Sequence, residues 1–160
     1  MTGQLMKHLT LSIALLITAG AAQAGRFCEL DGTEVFSCTF KDGTRGVEVC
    51  NAIWAEGSKV AYGFFKSDGT VEKEILQDMA TLEAAPWNGL GAFMSESVTF
   101  DGGGGYSYEV WSGSERAADA TQIGGINVLR DGALIADLSC DTGTVQSDLS
   151  GLIEIIEAAE

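Results

Sequence analysis

The sequence predicts an all-β domain of about eight antiparallel strands, a meander closed as a barrel or packed as a sandwich, with a short C-terminal helix. Three observations predict it. Asp-Gly pairs recur at 31–32, 42–43, 68–69, 101–102 and 131–132. Such pairs between alternating apolar runs mark hairpins, because type I′ turns need positive φ at both central residues. The runs between them are short and strand-like. Beyond residue 147 the apolar spacing changes to a helical period. Pro86 is the only proline, and no repeat or linker divides the chain, so residues 25–160 read as one domain.

In order along the chain, the first element is a signal peptide over residues 1–24. Lys7 and His8 are its basic start, LTLSIALLITA (9–19) its apolar run, and Ala22-Gln23-Ala24 its small-residue cleavage site, cut after Ala24. A run of 11 is too short to span a bilayer, which takes roughly 17–25 residues, and no other segment is apolar enough. The expected location is periplasmic or secreted. Four hairpins follow. VFSCTF (35–40) meets GVEVC (46–50), and VAYGFF (60–65) meets TVEKEIL (70–76). AFMSESVTF (92–100) meets YSYEVW (106–111), and TQIGGINVL (121–129) meets ALIADLSC (133–140). With a two-residue turn in the last, Leu129, Leu134, Ala136, Leu138 and Cys140 share one face. The helix is expected over 147–158. Ser147 is its N-cap, Leu149, Leu152, Ile153 and Ile156 its buried stripe, and Glu154 and Glu157 its wet side.

Four cysteines in a small exported domain predict two disulfides. Cys28, Cys38, Cys50 and Cys140 contain no C-x-x-C spacing, so neither a zinc knuckle nor a thioredoxin-like motif is present. A turn at Asp42-Gly43 pairs Phe40 with Arg45 and Val35 with Cys50, which puts Cys38 and Cys50 on opposite faces of the hairpin. A direct bond between those two then needs Cα atoms closer than the hairpin allows. That favours Cys28–Cys50 with Cys38–Cys140.

Charge and composition narrow the function. The chain carries 23 acidic against 9 basic residues, a net charge of −14, and loss of Lys7 with the signal peptide makes it −15. Such a surface repels nucleic-acid phosphates and is suited to a cationic partner. The one histidine, His8, lies in the signal peptide, which leaves no Ser-His-Asp, Cys-His or histidine-bound zinc chemistry. Asp141-Thr142-Gly143 resembles the aspartic-protease motif over too few residues and too near the end of the chain. Asp101-Gly-Gly-Gly-Gly-Tyr106 lacks the lysine and following helix of a phosphate loop. Asp68, Glu72, Glu74 and Asp78 lack the spacing of a calcium loop. No catalytic residue, metal or cofactor is therefore expected. The candidate contact residues are Trp87 in the loop PWNGLG (86–91), Tyr106 and Tyr108 on one strand face, and the stretch Ser112, Gly113 to Glu115.

Taken together, VFSCTFKDGTRGVEVC, the YSYEVWSGSERAAD stretch and GINVLRDGALIADLSCD resemble a group of small exported bacterial proteins that has no assigned activity. More distantly, the layout resembles the periplasmic inhibitors of c-type lysozyme, acidic eight-stranded barrels whose first and last strands share a disulfide. That resemblance implies a Cys38–Cys140 staple and a cationic protein partner such as a lysozyme. The inhibitors carry Ser-Gly-x-x-Tyr in their active loop; here Ser112-Gly113 is followed by Ser114, Glu115 and Arg116, and their second motif is absent. The leading expectation is a non-catalytic, inhibitor-like binding protein. The alternatives are a histidine-free hydrolase working through paired carboxylates and a passive envelope protein.

Overall fold

The computed structural model describes Cys28 and residues 34–158. The expected signal peptide and the Asp31-Gly32 pair lie outside the described residues. Among these residues ten strands, one 3-10 turn (Met79–Thr81) and one α-helix occur: β1 (Glu34–Phe40), β2 (Arg45–Asn51), β3 (Lys59–Lys66), β4 (Val71–Asp78), β5 (Glu83–Ala85), β6 (Phe93–Gly103), β7 (Tyr106–Glu115), β8 (Ile123–Arg130), β9 (Ala133–Ser139), β10 (Gln146–Ser147) and α1 (Leu149–Ala158). They form two antiparallel sheets, β10-β1-β2-β3-β4 (sheet A) and β5-β6-β7-β8-β9 (sheet B). The sheets do not close on each other, so of the two expected architectures the molecule is the sandwich. The eight long strands are those the hairpin pattern predicts. β5 and β10, three and two residues long, lie on the edges of their sheets and carry too few residues to show a period.

One face of each sheet makes the core. Phe36, Val49 and Tyr62 of sheet A meet Val98, Phe100, Val110 and Ile126 of sheet B. The Tyr62 ring stands 5.4 Å from Phe100 and 5.5 Å from Tyr108, across the sandwich. Removing each such side chain from water contributes roughly 1.5–3 kcal/mol. Leu149, Leu152, Ile153 and Ile156 of α1 are buried in the same cluster, as their spacing predicts. The helix starts two residues later than expected because Ser147 belongs to β10, where it pairs with Phe36. Its hydroxyl still accepts the Leu149 N–H at 3.3 Å.

The turns differ from expectation where bulges intervene. Asp131-Gly132 is the expected two-residue turn, with φ of 50° and 78°. The β6–β7 turn lies at Gly104-Gly105, with φ of 62° and 82°, and Asp101-Gly102 lies within β6 at a bulge. Asp42-Gly43 sits in a longer loop between Phe40 and Arg45, which nevertheless pair as predicted. A bulge at Val35 sets Glu34, not Val35, opposite Cys50. Another bulge, at Ile135, breaks the expected apolar face of the last hairpin. Val128 opposes Ala136 but Leu129 opposes Leu134, so Leu134 turns outward and is 59% exposed.

The Cys38–Cys140 disulfide is present, with Cα atoms 5.8 Å apart, and ties β1 of sheet A to the end of β9 in sheet B. Cys50 lies on the other face of sheet A. Cys28 and Cys50 are free thiols, so the second predicted bridge is not formed in this structure; the two residues pack in one small cluster. Next to the staple, Asp141 explains the protease-like motif. Its backbone N–H donates to Thr39 O at 2.7 Å. Its carboxylate accepts the Thr39 hydroxyl (2.8 Å), the Asp42 N–H (3.1 Å) and the Gly43 N–H (2.9 Å). Asp-Thr-Gly is thus a clamp on the β1–β2 loop, and those donors, Gly43 first, hold the Asp141 carboxyl below its ordinary pKa.

Two outcomes follow from this corner. The staple closes a loop of 102 residues, for which the chain-entropy model gives about 4–5 kcal/mol. Urea unfolding of a Cys38→Ser, Cys140→Ser double variant should show a loss of that order; a loss below about 1 kcal/mol would mean the clamp and core hold the sheets unaided. For Asp141 the folded pKa lies below the unfolded value of about 3.9, so its contribution is full above that pH and is lost as pH falls through the folded pKa. Melting of Asp141→Asn should therefore be less stable than wild type at pH 7, with the gap narrowing on acidification below about pH 4. A gap that stays constant with pH would sink that account.

Candidate functional site

The outer face of sheet B follows from the register. Val98, Val110, Ile126 and Leu138 form one cross-strand row, three of them fully buried. Successive side chains on a strand alternate faces, so the rows on either side point away from the core. One is Ser97, Trp111, Gly125 and Ser139; the other is Thr99, Glu109, Asn127 and Asp137.

On this face two rings lie against glycines. A Cβ at Gly125 would stand 3.0 Å from Trp111 Nε1, and one at Gly113 would stand 2.7 Å from Phe93 Cζ. Both approaches require glycine, because any larger residue displaces the ring. The loop 86–91 rises beside them. Trp87 Nε1–H donates to Leu90 O at 3.1 Å, and Asn88 accepts the Leu90 N–H at 2.9 Å, which fixes the loop's curl. The Arg116 guanidinium sits 5.1 Å over the Trp87 ring. Between loop and sheet is a hollow of about 520 Å³, in the size range of small-ligand sites. Trp87, Leu90, Phe93 and Trp111 give it apolar walls, and Glu109 and Asn127 stand at its polar end.

Glu109 is held in place. The Ser97 hydroxyl donates to Oε1 at 2.9 Å and Asn127 Nδ2–H to Oε2 at 2.7 Å. Its acceptor direction is therefore set before any ligand arrives. Glu96 also borders the hollow, but its position in register with Ser112 puts it on the core face. There its carboxylate receives the Ser150 N–H in the first turn of α1 and the Ser112 hydroxyl. Burial, with Asp148 adding repulsion, nevertheless keeps the Glu96 carboxyl above its ordinary pKa. Glu96 and Glu109 thus belong to opposite faces of β6 and β7 and do not converge as a carboxylate pair.

The expected contact residues are dispersed. Trp87 is in the hollow. Tyr108 packs on the Tyr62 ring, with Lys73 Nζ 5.5 Å over its own ring, and so belongs to the core. Ser112 is 1% exposed and shares a 2.9 Å hydrogen bond with Ser147 Oγ, and Gly113 is buried beneath Phe93. Neither can form the proposed contact loop; only Glu115 of that stretch is exposed. Tyr106, under the Arg130 guanidinium at 5.2 Å, is at the far end of β7, roughly 20 Å from Ser112 at about 3.3 Å per residue. Sequence reasoning missed Trp111, Phe93, Glu109 and Asn127 as a set. The available signal was Gly124-Gly125 within a strand, which marks a close approach, together with polar residues alternating against Val110 and Ile126. Among the described residues no group of side chains is arranged to hold a metal ion, and no helix is long and apolar enough to cross a membrane.

Glu96 yields a test with the opposite sign to Asp141. A carboxyl whose folded pKa is raised contributes stability below its unfolded pKa and loses it as pH rises through the folded value. Glu96→Gln, which keeps an acceptor for Ser150 and Ser112, should melt at or above wild type at pH 7 and lose that advantage near pH 4. Equal offsets at both pH values would show that burial does not act on Glu96.

No protein-family model matches the chain, and no curated protein or solved structure matches it either.

Proposed function

We propose that this chain is a non-catalytic binding module that acts outside the cytoplasm, and that the hollow on sheet B receives a cationic side chain, arginine or lysine, of a protein partner. One observation carries the reading: the charged groups bordering this aromatic-walled hollow are both carboxylates, and Glu109 is aimed by Ser97 and Asn127. A cation over an aromatic face gains about 0.5–2 kcal/mol, more as water is excluded. The chain's own Arg116 on Trp87 and Arg130 on Tyr106 already use that contact. The net charge of −14 adds long-range attraction for a basic partner. Leu90, Phe93 and Ile123, at 74%, 39% and 45% exposure, supply an apolar rim beside it. The lysozyme-inhibitor resemblance supports the partner's charge class; its active-loop stretch, here Ser112-Gly113, is buried, so contact through the hollow replaces that route.

Hen-type lysozyme is the first probe, followed by tryptophan fluorescence and muramidase activity at about 0.15 and about 0.5 M salt, where screening lengths fall to about 8 and about 4 Å. The expected result is binding that survives the higher salt and weakens at least about tenfold, or about 1.4 kcal/mol, in Trp111→Ala and in Glu109→Gln. Binding that disappears with salt and is equal in both variants would reduce the attraction to non-specific charge. Absence of binding at either salt would remove this partner class.

A further inference from the structure

A second hollow, of about 680 Å³, adjoins the first. Its floor is Thr99, Asp101 and Ser107, which register places on the outer face of sheet B. Leu76 of β4, 48% exposed, walls it, and Glu83 of β5 joins the lining. Gln77 fixes that wall: its Oε1 accepts the Asp101 N–H at 2.8 Å and its Nε2–H donates to Thr81 O at 2.9 Å. The two hollows meet at one cross-strand pair, because Thr99 of the second stands directly opposite Glu109 of the first.

Three carboxylates surround Thr99. Glu83 and Glu109 are its partners on the strands to either side. Asp101, two residues along β6, is the diagonal neighbour of both, a separation of about 7–8 Å. Its Oδ1 is held by the Gly103 N–H at 2.8 Å. Every charged side chain lining either hollow is a carboxylate. The ion pairs among the described residues, Arg45–Glu72, Lys59–Asp78 and Lys66–Glu72, all lie on sheet A, so none of them neutralises this group.

We propose that the two hollows form one groove, and that it binds an extended basic segment of the partner with arginine or lysine at alternate positions, one cation at Glu109 and the next at Asp101. The proposal rests on the reading that the aromatic hollow takes a cation, and adds the spacing that the partner must carry. In an extended segment, residues two apart face the same side at about 6.6–6.8 Å, close to the diagonal separation of the two carboxylates. A lone cation meets only one of them, and a wider repeat overshoots the second. Trp111 at one end and Leu76 at the other give the long basic side chains apolar surface for their stems.

The test titrates the isotope-labelled chain with three threonine-rich peptides, a composition that favours an extended backbone, and follows amide shifts by nuclear magnetic resonance. One peptide carries a single arginine, one carries two arginines two residues apart, and one carries two arginines five apart, roughly 16 Å. The alternate peptide should bind at least about fivefold more tightly than its equally charged five-apart isomer, and should move the Thr99 and Asp101 amides together with that of Glu109. In Asp101→Asn, which keeps the acceptor for Gly103, that preference should fall below about twofold. Equal binding of the two isomers, or a preference that survives in Asp101→Asn, would overturn the groove; the aromatic hollow would still stand if the single-arginine peptide weakens in Trp111→Ala. Binding of all three peptides unchanged by Trp111→Ala would overturn both.

Discussion

Two meanders that share no strand need something to hold them face to face, and at one end of this sandwich that is the corner where Cys140 and Asp141 meet β1. The disulfide fixes the distance between sheets at Cys38. The three hydrogen bonds to the Asp141 carboxylate fix the direction, because they lock the β1–β2 loop to the segment leaving β9. Thr144 adds to this by accepting the Thr39 N–H at 3.2 Å and donating to Asp141 O at 2.8 Å. From that corner the chain continues into β10, which pairs with β1, and then into α1, whose apolar stripe enters the shared core. At the opposite edge the sheets are linked by hydrogen bonds alone, Lys73 Nζ to Gly102 O at 2.9 Å and the Asp101 N–H to Gln77 Oε1 at 2.8 Å. The stiff end of the sandwich is therefore the one where a covalent bond joins several hydrogen bonds to one carboxylate.

Once the inner faces are committed to the core, distinct chemistry can only be displayed on the outer faces and the loops. Sheet B uses its outer face for the aromatic hollow, and the strand that gives Val110 to the core gives Glu109 and Trp111 to the hollow. A neighbouring pair on β8 divides in the same way. Gly124 leaves room on the core side for Phe36, 3.2 Å from where its Cβ would be, and Gly125 leaves room outside for Trp111. Position of the site is thus dictated by core packing: shifting β8 by one residue would expel Ile126 and close the hollow together.

The parts of the fold legible in the sequence were those set by local chemistry. Asp-Gly turns, two-residue alternation and the helical spacing of Leu149, Leu152, Ile153 and Ile156 each report a few adjacent residues, and they gave the eight long strands and the helix. The Cys38–Cys140 bond was legible in part, because hairpin register separates Cys38 from Cys50 and the resemblance to the lysozyme inhibitors implies that staple. What failed depended on bulges and on contacts remote in sequence. A single bulge at Ile135 sends Ala136 and Leu138 to the face opposite Leu134, where a regular hairpin keeps all three together. Ser112 reads as an exposed loop serine until β7 is seen to run on to Glu115, with Ser147 facing it from the last strand. Strand alternation alone separates Tyr108 from Trp111, but which face is wet is decided by Tyr62 and Phe100, residues with no local signature.

The same reasoning explains why the two carboxylates bordering the hollow do not act as a pair. Glu96 and Glu109 come near one hollow but answer to different partners: Glu96 serves the first turn of α1 through Ser150, and Glu109 is held by Ser97 and Asn127 on the far side of the sheet. Acid–base catalysis by two carboxyls needs both aimed at one bond from a separation of about 5–10 Å. A sheet whose pleat sends the two stems in opposite directions works against that aim. A pinned carboxylate beside aromatic faces has a simpler competence, offering a fixed acceptor and stacking surfaces to a cation that arrives with its own charge. On the proposed reading the hollow is organised for recognition, and the core beneath it makes that organisation rigid.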